Sequence, residues 1–306
     1  MRAGWAADTQ ADIAELVQYA KLRGIRLVPE IDLPSHSAGL CAGLKGAGIS
    51  CAPCGKYGGQ QILMDDRSVH VVQEVLREVS SLFPDALFSI GGDETGSAAP
   101  CTLASAKRFE QRMIHFVQQE LHKTVLVWEE ALFESGAAAG NRAVVVDTWQ
   151  ADSWQQAARA GHKVIMSRES ALYLDYPSHN ASGMWLDLFR GAENSSPTEK
   201  AMLLGASMWS DRYVPRGPAQ CLYQSPQRDA DFANSTSSTI WPRASIAAGS
   251  FWNFDARMRA DSAEFAGLLR REAARLAARG VAVCPCSTPT RNGCWQSEFC
   301  GRAWCG

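Results

Sequence analysis

Short apolar segments alternate with longer segments of helical periodicity through most of this chain. One such pair is a helix predicted over residues 103–121, followed by an apolar strand over residues 124–128. Strands that are apolar almost throughout are typical of a parallel sheet covered on both faces. A helix is also predicted over residues 8–23, with Asp8-Thr9 as its cap. The pattern predicts six strands, which begin near residues 25, 87, 124, 144, 163 and 203.

The second predicted strand ends in Gly91-Gly92-Asp93-Glu94. Glycine gives a sheet no side chain to pack, and two adjacent carboxylates repel each other unless something uses them. The two carboxylates are therefore either solvated in a loop or part of a site. Their position directly after a strand in a strand–helix repeat favours a site, because such folds bind ligands there.

Composition excludes some classes of function. The chain has 306 residues and a formal net charge of −2, so its charge balance gives no indication of nucleic-acid binding. No apolar run is long enough to span a membrane. Residues 1–5 contain no hydrophobic signal core, so we expect no export signal within the chain as given.

The cysteines and glycosylation sequons nevertheless favour the secretory route. Cysteines crowd residues 284–306, where their spacing matches no zinc pattern, so a disulfide-stapled tail is expected there. Asn-x-Ser/Thr sequons begin at Asn180, Asn194 and Asn234. We therefore expect a lysosomal, vacuolar or extracellular protein whose signal peptide lies outside this chain.

Aromatic and polar residues follow the predicted strands at corresponding points. In a (β/α) barrel the carboxyl ends of the strands form one rim. Aromatic faces pack on the C–H surface of a sugar ring, so these positions together predict a sugar pocket, although any single tryptophan suits core packing as well. The residues at these points are His36, Asp93, Glu94, Trp128, Trp149, Tyr173, Asp175, Trp209 and Asp211.

Asp93 and Glu94 are adjacent, which bears on the mechanism. A retaining glycosidase with a carboxylate nucleophile needs its two carboxyl groups about 5 Å apart, on opposite sides of the scissile bond. Adjacent side chains seldom straddle a substrate in this way, because side chains alternate in direction along an extended chain. The adjacency therefore favours one general acid/base and one residue that assists it. The nucleophile is then the 2-acetamido group of the substrate.

Six blocks of sequence, in the same order, resemble the β-N-acetylhexosaminidases of glycoside hydrolase family 20. They are residues 25–36, 83–94, 127–130, 173–175, 208–209 and 241–245. The resemblance implies an α/β fold of the (β/α)8 TIM-barrel type over residues 1–283, with the Cys-rich tail over residues 284–306. It also implies hydrolysis of terminal, non-reducing β-linked N-acetylglucosamine or N-acetylgalactosamine through an oxazolinium intermediate, with no cofactor and no metal. The partners would be oligosaccharides or glycoconjugates that contain amino sugars, and a homodimer is left open.

The resemblance also implies roles for the catalytic residues. Glu94 matches the general acid that protonates the leaving oxygen and later activates water. Asp93 matches the residue that holds the acetamido nitrogen, so that the carbonyl oxygen of the same group attacks the anomeric carbon. His36 matches a histidine that lies behind the acid.

Substrate-binding roles follow in the same way. Trp128, Trp149 and Trp209 match the aromatic walls around the acetamido group and the sugar ring. Tyr173 matches the residue that donates a hydrogen bond to the acetamido carbonyl, and Asp175 matches a polar residue near it.

The chain departs from the family pattern at three points. Ser35 stands where the family usually has glycine, and Asp211 stands where it often has a glutamate that binds sugar hydroxyls. The first two strands of the family barrel, one of which bears an arginine, are not found. We therefore expect an incomplete barrel with strands 3–8, from a truncated gene model or a fragment, which alone is unstable or inactive.

The resemblance suggests a disulfide between the loop after His36 and the loop after Glu94, which pairs Cys101 with Cys51 or Cys54. An alternative function is a catalytically impaired, carbohydrate-binding remnant of such an enzyme. A metal-dependent hydrolase is disfavoured, because no second histidine lies at ligand spacing from His36.

Overall fold

A computed structural model describes residues 9–150, 153–174, 195–209, 240–253, 258, 262–281 and 283. Several predicted features lie outside these residues, namely Asp175, Asp211, the sequon asparagines Asn180, Asn194 and Asn234, and the tail over residues 284–306. The helices are α1 (Gln10–Lys21), α2 (Ala38–Gly43), α3 (Asp66–Leu82), α4 (Leu103–Gln119), α5 (Glu130–Phe133), α6 (Ser153–Arg159), α7 (Glu169–Leu172), α8 (Pro197–Met202), α9 (Arg243–Asn253) and α10 (Ala263–Ala277). The strands are β1 (Cys51–Ala52), β2 (Gln61–Ile62), β3 (Leu87–Ser89), β4 (Thr124–Trp128), β5 (Val145–Thr148), β6 (Lys163–Met166) and β7 (Leu203–Ala206).

Strands β3 to β7 form one sheet in the order β3-β4-β5-β6-β7. The pairs β3–β4 and β4–β5 are parallel, with Phe88 opposite Val125 and Val127 opposite Val146. All four of these side chains are buried. The predicted parallel sheet of apolar strands is confirmed. Because β3 and β4 are parallel neighbours, the residues that follow these two strands leave the sheet at the same edge.

The first predicted strand, over residues 25–28, is wrong. Those residues form no strand, and Ile25 and Val28 are exposed. The chain runs beside β3 only a few residues later, where Glu30 forms an isolated parallel bridge with Ser89. Pro29 accepts a hydrogen bond from the amide of Ser89 but has no N–H to donate in return, which limits regular pairing at this position.

The longer elements follow the predicted pattern closely. Helix α1 begins with a capping box in which Thr9 and Asp12 bond each other's backbone amides, as expected. The antiparallel pair β1–β2 was not predicted, and it lies in the Gly- and Cys-rich segment that the sequence indicated as a loop. Each of its strands has only two residues, which is too short for a periodic signal.

The chain forms two compact units, which are described separately. The first unit comprises Met1–Thr148 and Gln156–Val164, and the second comprises Trp149–Gln155 and Ile165–Gly306. The core of the first unit includes Phe109 and Met113 of α4. The core of the second includes Leu172 of α7, Ile246 of α9 and Phe265 of α10. The predicted domain boundary at residue 283 stays a prediction.

Two disulfides lie in the first unit. Cys54 is bonded to Cys101, with a Cα–Cα distance of 5.8 Å, which is one of the two pairings that the resemblance left open. Cys41 is bonded to Cys51, with a Cα–Cα distance of 6.0 Å. Among the described residues, no helix has the length and apolarity needed to cross a membrane.

Candidate active site

The carboxylate pair lies directly after β3 in the first unit. Gly91 and Gly92 turn the chain there with positive φ angles of 67° and 107°. Glu94 follows with φ of 51°, a backbone conformation that residues other than glycine seldom adopt. Such conformations persist where the surrounding structure holds them, and they concentrate at functional sites. The two glycines that end the strand thus bring both carboxylates out of the regular sheet direction.

His36 lies between the two predicted catalytic carboxylates. Its Nε2 atom is 3.4 Å from Asp93 Oδ2 and 3.3 Å from Glu94 Oε2. The histidine also has a positive φ, of 50°. Its side chain is 43% exposed and those of both carboxylates are 20% exposed, so solvent or a ligand can reach all three. The structure therefore brings together the three residues that the sequence placed in the catalytic centre.

A further carboxyl group, that of Asp32, contacts the backbone that carries Asp93 and Glu94. Asp32 Oδ1 accepts a hydrogen bond from the amide of Gly92 at 3.3 Å. Burial raises the pKa of Asp32, and the charge of Asp93 raises it further. The hydrogen bond to Asp93 raises the pKa of His36, an effect that burial opposes. Burial thus disfavours the charged form of Asp32, and the contact with Asp93 favours the cationic form of His36.

Glu30 links this centre to Trp128, the aromatic residue at the end of β4. Its Oε2 atom accepts a hydrogen bond from the Ser89 hydroxyl at 2.6 Å. The side chain of Trp128 also hydrogen-bonds to Glu30. Burial raises the pKa of Glu30, against the lowering effect of these two hydrogen bonds. Trp128 is itself only 7% exposed, so its indole is fixed by both packing and a polar contact.

We expect Gly91→Ala to destabilise the protein by about 2–4 kcal/mol, because the cost of a positive φ adds to the cost of a steric clash with Asp32. Residue 91 has φ of +67°, and a Cβ there would lie 1.9 Å from Asp32 Oδ1. Gly58→Ala is the matched control, since Gly58 also has a positive φ, of +77°, but nothing lies within 4 Å of its added Cβ. Urea denaturation measures the free energy of unfolding of both variants. Equal losses of stability would show that the contact with Asp32 adds no cost.

The second unit contains three of the predicted aromatic residues. The rings of Trp149 and Tyr173 have centroids 6.4 Å apart, and those of Tyr173 and Trp209 are 6.2 Å apart. Tyr173 and Trp209 also form a parallel bridge, in which the amide of Leu174 donates to the carbonyl of Trp209. Trp209 is 39% exposed. Tyr173 therefore lies between two indoles and shares a backbone contact with one of them.

A metal ion is the other ligand that side chains of this kind can hold. Among the described residues, Asp32, His36 and Asp93 each offer one ligand atom, and these atoms all lie within 4.8 Å of one another. The same spacing suits the hydrogen bonds of His36 and Asp32 with Asp93. The expected absence of a metal stays a prediction.

Glu30, Asp32 and Gln61 were not predicted as site residues from the sequence. Glu30 and Asp32 are two residues apart in an extended segment, so their side chains leave it in the same direction. That alternation indicates that the two side chains lie on one side of the segment, but it does not show what they contact. Gln61 gave no such signal, because its contact with the amide of Gly96 is made across 35 residues of sequence.

An α/β fold with paired carboxylates after a parallel strand is typical of glycoside hydrolases of the TIM-barrel type. Residues 4–254 match the model of the glycosyl hydrolase family 20 catalytic domain. This match covers most of the chain, and the chain therefore belongs to that family.

Curated relatives carry related names. Beta-hexosaminidase 1 of Coccidioides posadasii (strain RMSCC 757 / Silveira) is 26% identical over 200 residues, which cover 54% of this chain and 33% of the relative. Beta-hexosaminidase subunit beta of Sus scrofa is 25% identical over 307 residues, which cover 92% of this chain and 53% of the relative. The chain thus spans between a third and about half of the length of these relatives.

Solved structures resemble the fold as well. One is the family 20 exo-β-N-acetylglucosaminidase of Vibrio harveyi in complex with N-acetylglucosamine, with a TM-score of 0.68 and 19% identity. The likeness covers 90% of this chain and 46% of that chain. At this identity it shows the fold alone, which is an α/β fold of the TIM-barrel type. The prediction of an incomplete barrel stays a prediction.

Proposed function

We propose that the protein hydrolyses terminal, non-reducing β-linked N-acetylglucosamine or N-acetylgalactosamine residues with retention of configuration. The observation that carries this proposal is the contact of His36 with both Asp93 and Glu94 at the end of β3. Membership of glycosyl hydrolase family 20 and the names of the relatives support the same reaction.

Each carboxylate has one role in the proposed reaction. Glu94 donates a proton to the glycosidic oxygen as the bond to the anomeric carbon breaks. Asp93 accepts a hydrogen bond from the acetamido N–H, and the acetamido carbonyl oxygen forms the new bond to the anomeric carbon. Water, deprotonated by Glu94, then opens the oxazolinium ion and restores the proton to Glu94.

The charges of the site support this division of roles. The hydrogen bond to Asp93 raises the pKa of His36, so the cationic form of His36 is favoured beside Asp93, the residue that accepts the acetamido N–H in this proposal. Asp32 holds the amide of Gly92, immediately before Asp93, and so fixes the backbone from which the carboxylates project. Positions fixed in this way need little rearrangement during the reaction, which is the main source of electrostatic catalysis.

Aromatic residues supply the proposed binding surface. Trp128, Trp149 and Trp209 would pack on the sugar ring and the acetamido methyl group, and the Tyr173 hydroxyl would donate to the acetamido carbonyl. Asp175 and Asp211 would bind polar groups of the same sugar. The substrates would be oligosaccharides or glycoconjugates that end in an amino sugar.

The test of this proposal weakens the nucleophile of the substrate in steps. Aryl β-glycosides that carry N-acetyl, N-difluoroacetyl or N-trifluoroacetyl groups differ in the nucleophilicity of the carbonyl oxygen. We expect kcat/KM to fall stepwise along this series, by roughly a hundredfold or more in total, because an intramolecular nucleophile supplies much of the rate.

The leaving group is the same throughout this series, so acid catalysis is held constant. An equal rate for all three N-acyl groups would contradict attack by the acetamido oxygen. Failure of the chain to hydrolyse even the N-acetyl glycoside would contradict the proposed activity of this chain.

We also propose that the protein follows the secretory route to a lysosome, a vacuole or the extracellular space. The disulfides Cys41–Cys51 and Cys54–Cys101 support this proposal, because such bonds persist in oxidising compartments. The sequons at Asn180, Asn194 and Asn234 support it further. A shift in electrophoretic mobility after treatment with an N-glycosidase would test it.

A further inference from the structure

Glu94 and His36 both have positive φ angles, of 51° and 50°. This backbone conformation is costly for residues other than glycine, so contacts from the surrounding structure must hold it. The protonated carboxyl group of Glu94 reaches a leaving group only from a particular direction, and the backbone conformation of Glu94 sets the direction of its side chain.

Residues 54–62, which we call the clamp segment, contact both residues through the neighbouring backbone. The amide of Lys56 donates to the carbonyl of Glu94 at 2.9 Å. On the other side, the amide of Ser37, which follows His36, donates to the carbonyl of Gln60 at 3.2 Å. The amide of Ile62 donates to the carbonyl of Pro34 at 2.8 Å. The clamp segment thus bonds to the chain on both sides of the site.

One contact of the clamp segment is made by a side chain. Gln61 is only 2% exposed, and its Oε1 atom accepts a hydrogen bond from the amide of Gly96 at 2.7 Å. Gly96 is also buried, and a Cβ there would lie 1.9 Å from the carbonyl oxygen of Cys54. Because the backbones are so close on this side, no other group replaces the Gln61 amide at Gly96 without a rearrangement.

We propose that Gln61 is a positioning residue for Glu94, a role that rests on the proposed function. Its amide oxygen fixes Gly96, two residues after Glu94, while Lys56 fixes the carbonyl of Glu94 itself. The segment that carries the general acid is thereby held at its strained residue and again two residues later. Loss of either contact lets the Glu94 carboxyl leave the position from which it reaches the glycosidic oxygen.

The test is Gln61→Met, which keeps the length of the side chain and removes the acceptor. Misplacement of a catalytic group by about 1 Å costs roughly a hundredfold in rate, so we expect kcat/KM for a phenyl β-glycoside of N-acetylglucosamine to fall about tenfold to a hundredfold. The matching 2,4-dinitrophenyl glycoside needs little acid catalysis. Its kcat/KM is expected to stay within about twofold of the wild-type value.

Two further variants separate positioning from general stability. Gln118→Met is the matched control. Gln118 Oε1 also accepts a hydrogen bond, from the side-chain amide of Asn141 at 2.9 Å, but Gln118 lies on α4 outside the proposed site. It should leave both glycosides unaffected. Gln61→Glu retains an oxygen acceptor and should restore most of the rate that Gln61→Met loses with the phenyl glycoside.

Hydrogen exchange at the amide of Gly96 supplies a readout that does not depend on turnover. The amide should exchange faster in Gln61→Met than in the wild type or in Gln118→Met. Equal losses for the phenyl and dinitrophenyl glycosides, or unchanged exchange at Gly96, would overturn the positioning role. If the wild-type chain hydrolyses neither glycoside, the proposed function fails, and exchange at Gly96 still decides whether Gln61 holds this segment.

Discussion

Glu94→Gln is expected to lower kcat/KM for the phenyl β-glycoside of N-acetylglucosamine by about a thousandfold, since general acid catalysis contributes 10² to 10⁴ in rate. The substitution keeps the size of the side chain and its contact distance of 3.3 Å from His36. It removes the proton that the leaving phenolate would receive. Steady-state kinetics measures the effect.

The leaving group distinguishes loss of the acid from loss of the site. With the 2,4-dinitrophenyl glycoside, the variant should lose far less in kcat/KM, because that phenolate leaves without a proton. Glu15→Gln, on the exposed surface of α1, is the control and should match the wild type. Equal losses of Glu94→Gln with both glycosides would contradict the role of Glu94 as the general acid.

Most of the sheet could be predicted from the sequence, because its strands are apolar in a way that only burial on both faces explains. Strand β5, in which the adjacent residues Val145 and Val146 are both buried, is an example. The segment over residues 25–28 is also largely apolar but forms no strand. Apolar character alone does not show whether a neighbouring strand is available to accept the hydrogen bonds, and here regular pairing is limited by Pro29.

The candidate site was predictable where the sequence departs from the apolar pattern of a buried strand. Gly91 and Gly92 interrupt an apolar strand directly before two carboxylates, and this interruption is visible in the sequence. Asp32 and Gln61 break no local rule. Their hydrogen bonds to Gly92 and Gly96 join residues 60 and 35 positions apart, and such contacts exist only once the chain has folded.

The ionisation of Glu110 is a further property that the sequence does not reveal. Glu110 occupies a position on α4 between the buried residues Phe109 and Met113, and it is itself only 1% exposed. The hydroxyl of Ser135 donates a hydrogen bond to its Oε2 atom. Burial raises the pKa of Glu110 from 4.5 to about 8, and the nearby charge of Glu130 raises it too, whereas the hydrogen bond from Ser135 lowers it.

This raised pKa makes the stability of the protein fall as the pH increases. Between the unfolded pKa of 4.5 and the folded pKa of about 8, the folded state holds a proton that the unfolded state has lost. Each pKa unit corresponds to about 1.4 kcal/mol, so up to about 5 kcal/mol of unfolding free energy is lost over this range. Above the folded pKa both states are deprotonated and no further loss from this group occurs.

Glu110→Gln should therefore be more stable than the wild type at pH 8.5, by several kcal/mol, and about equal to it at pH 4.5. The glutamine keeps an oxygen that accepts from Ser135 and carries no charge at any pH. Urea denaturation at several pH values between these limits measures the difference. Glu134→Gln is the control. Glu134 is exposed and directly precedes Ser135, so its replacement should leave the pH dependence of stability unchanged. If Glu110→Gln and the wild type lose stability in parallel as the pH rises, then Glu110 is ionised in the folded protein, and its buried charge is compensated by a neighbouring group.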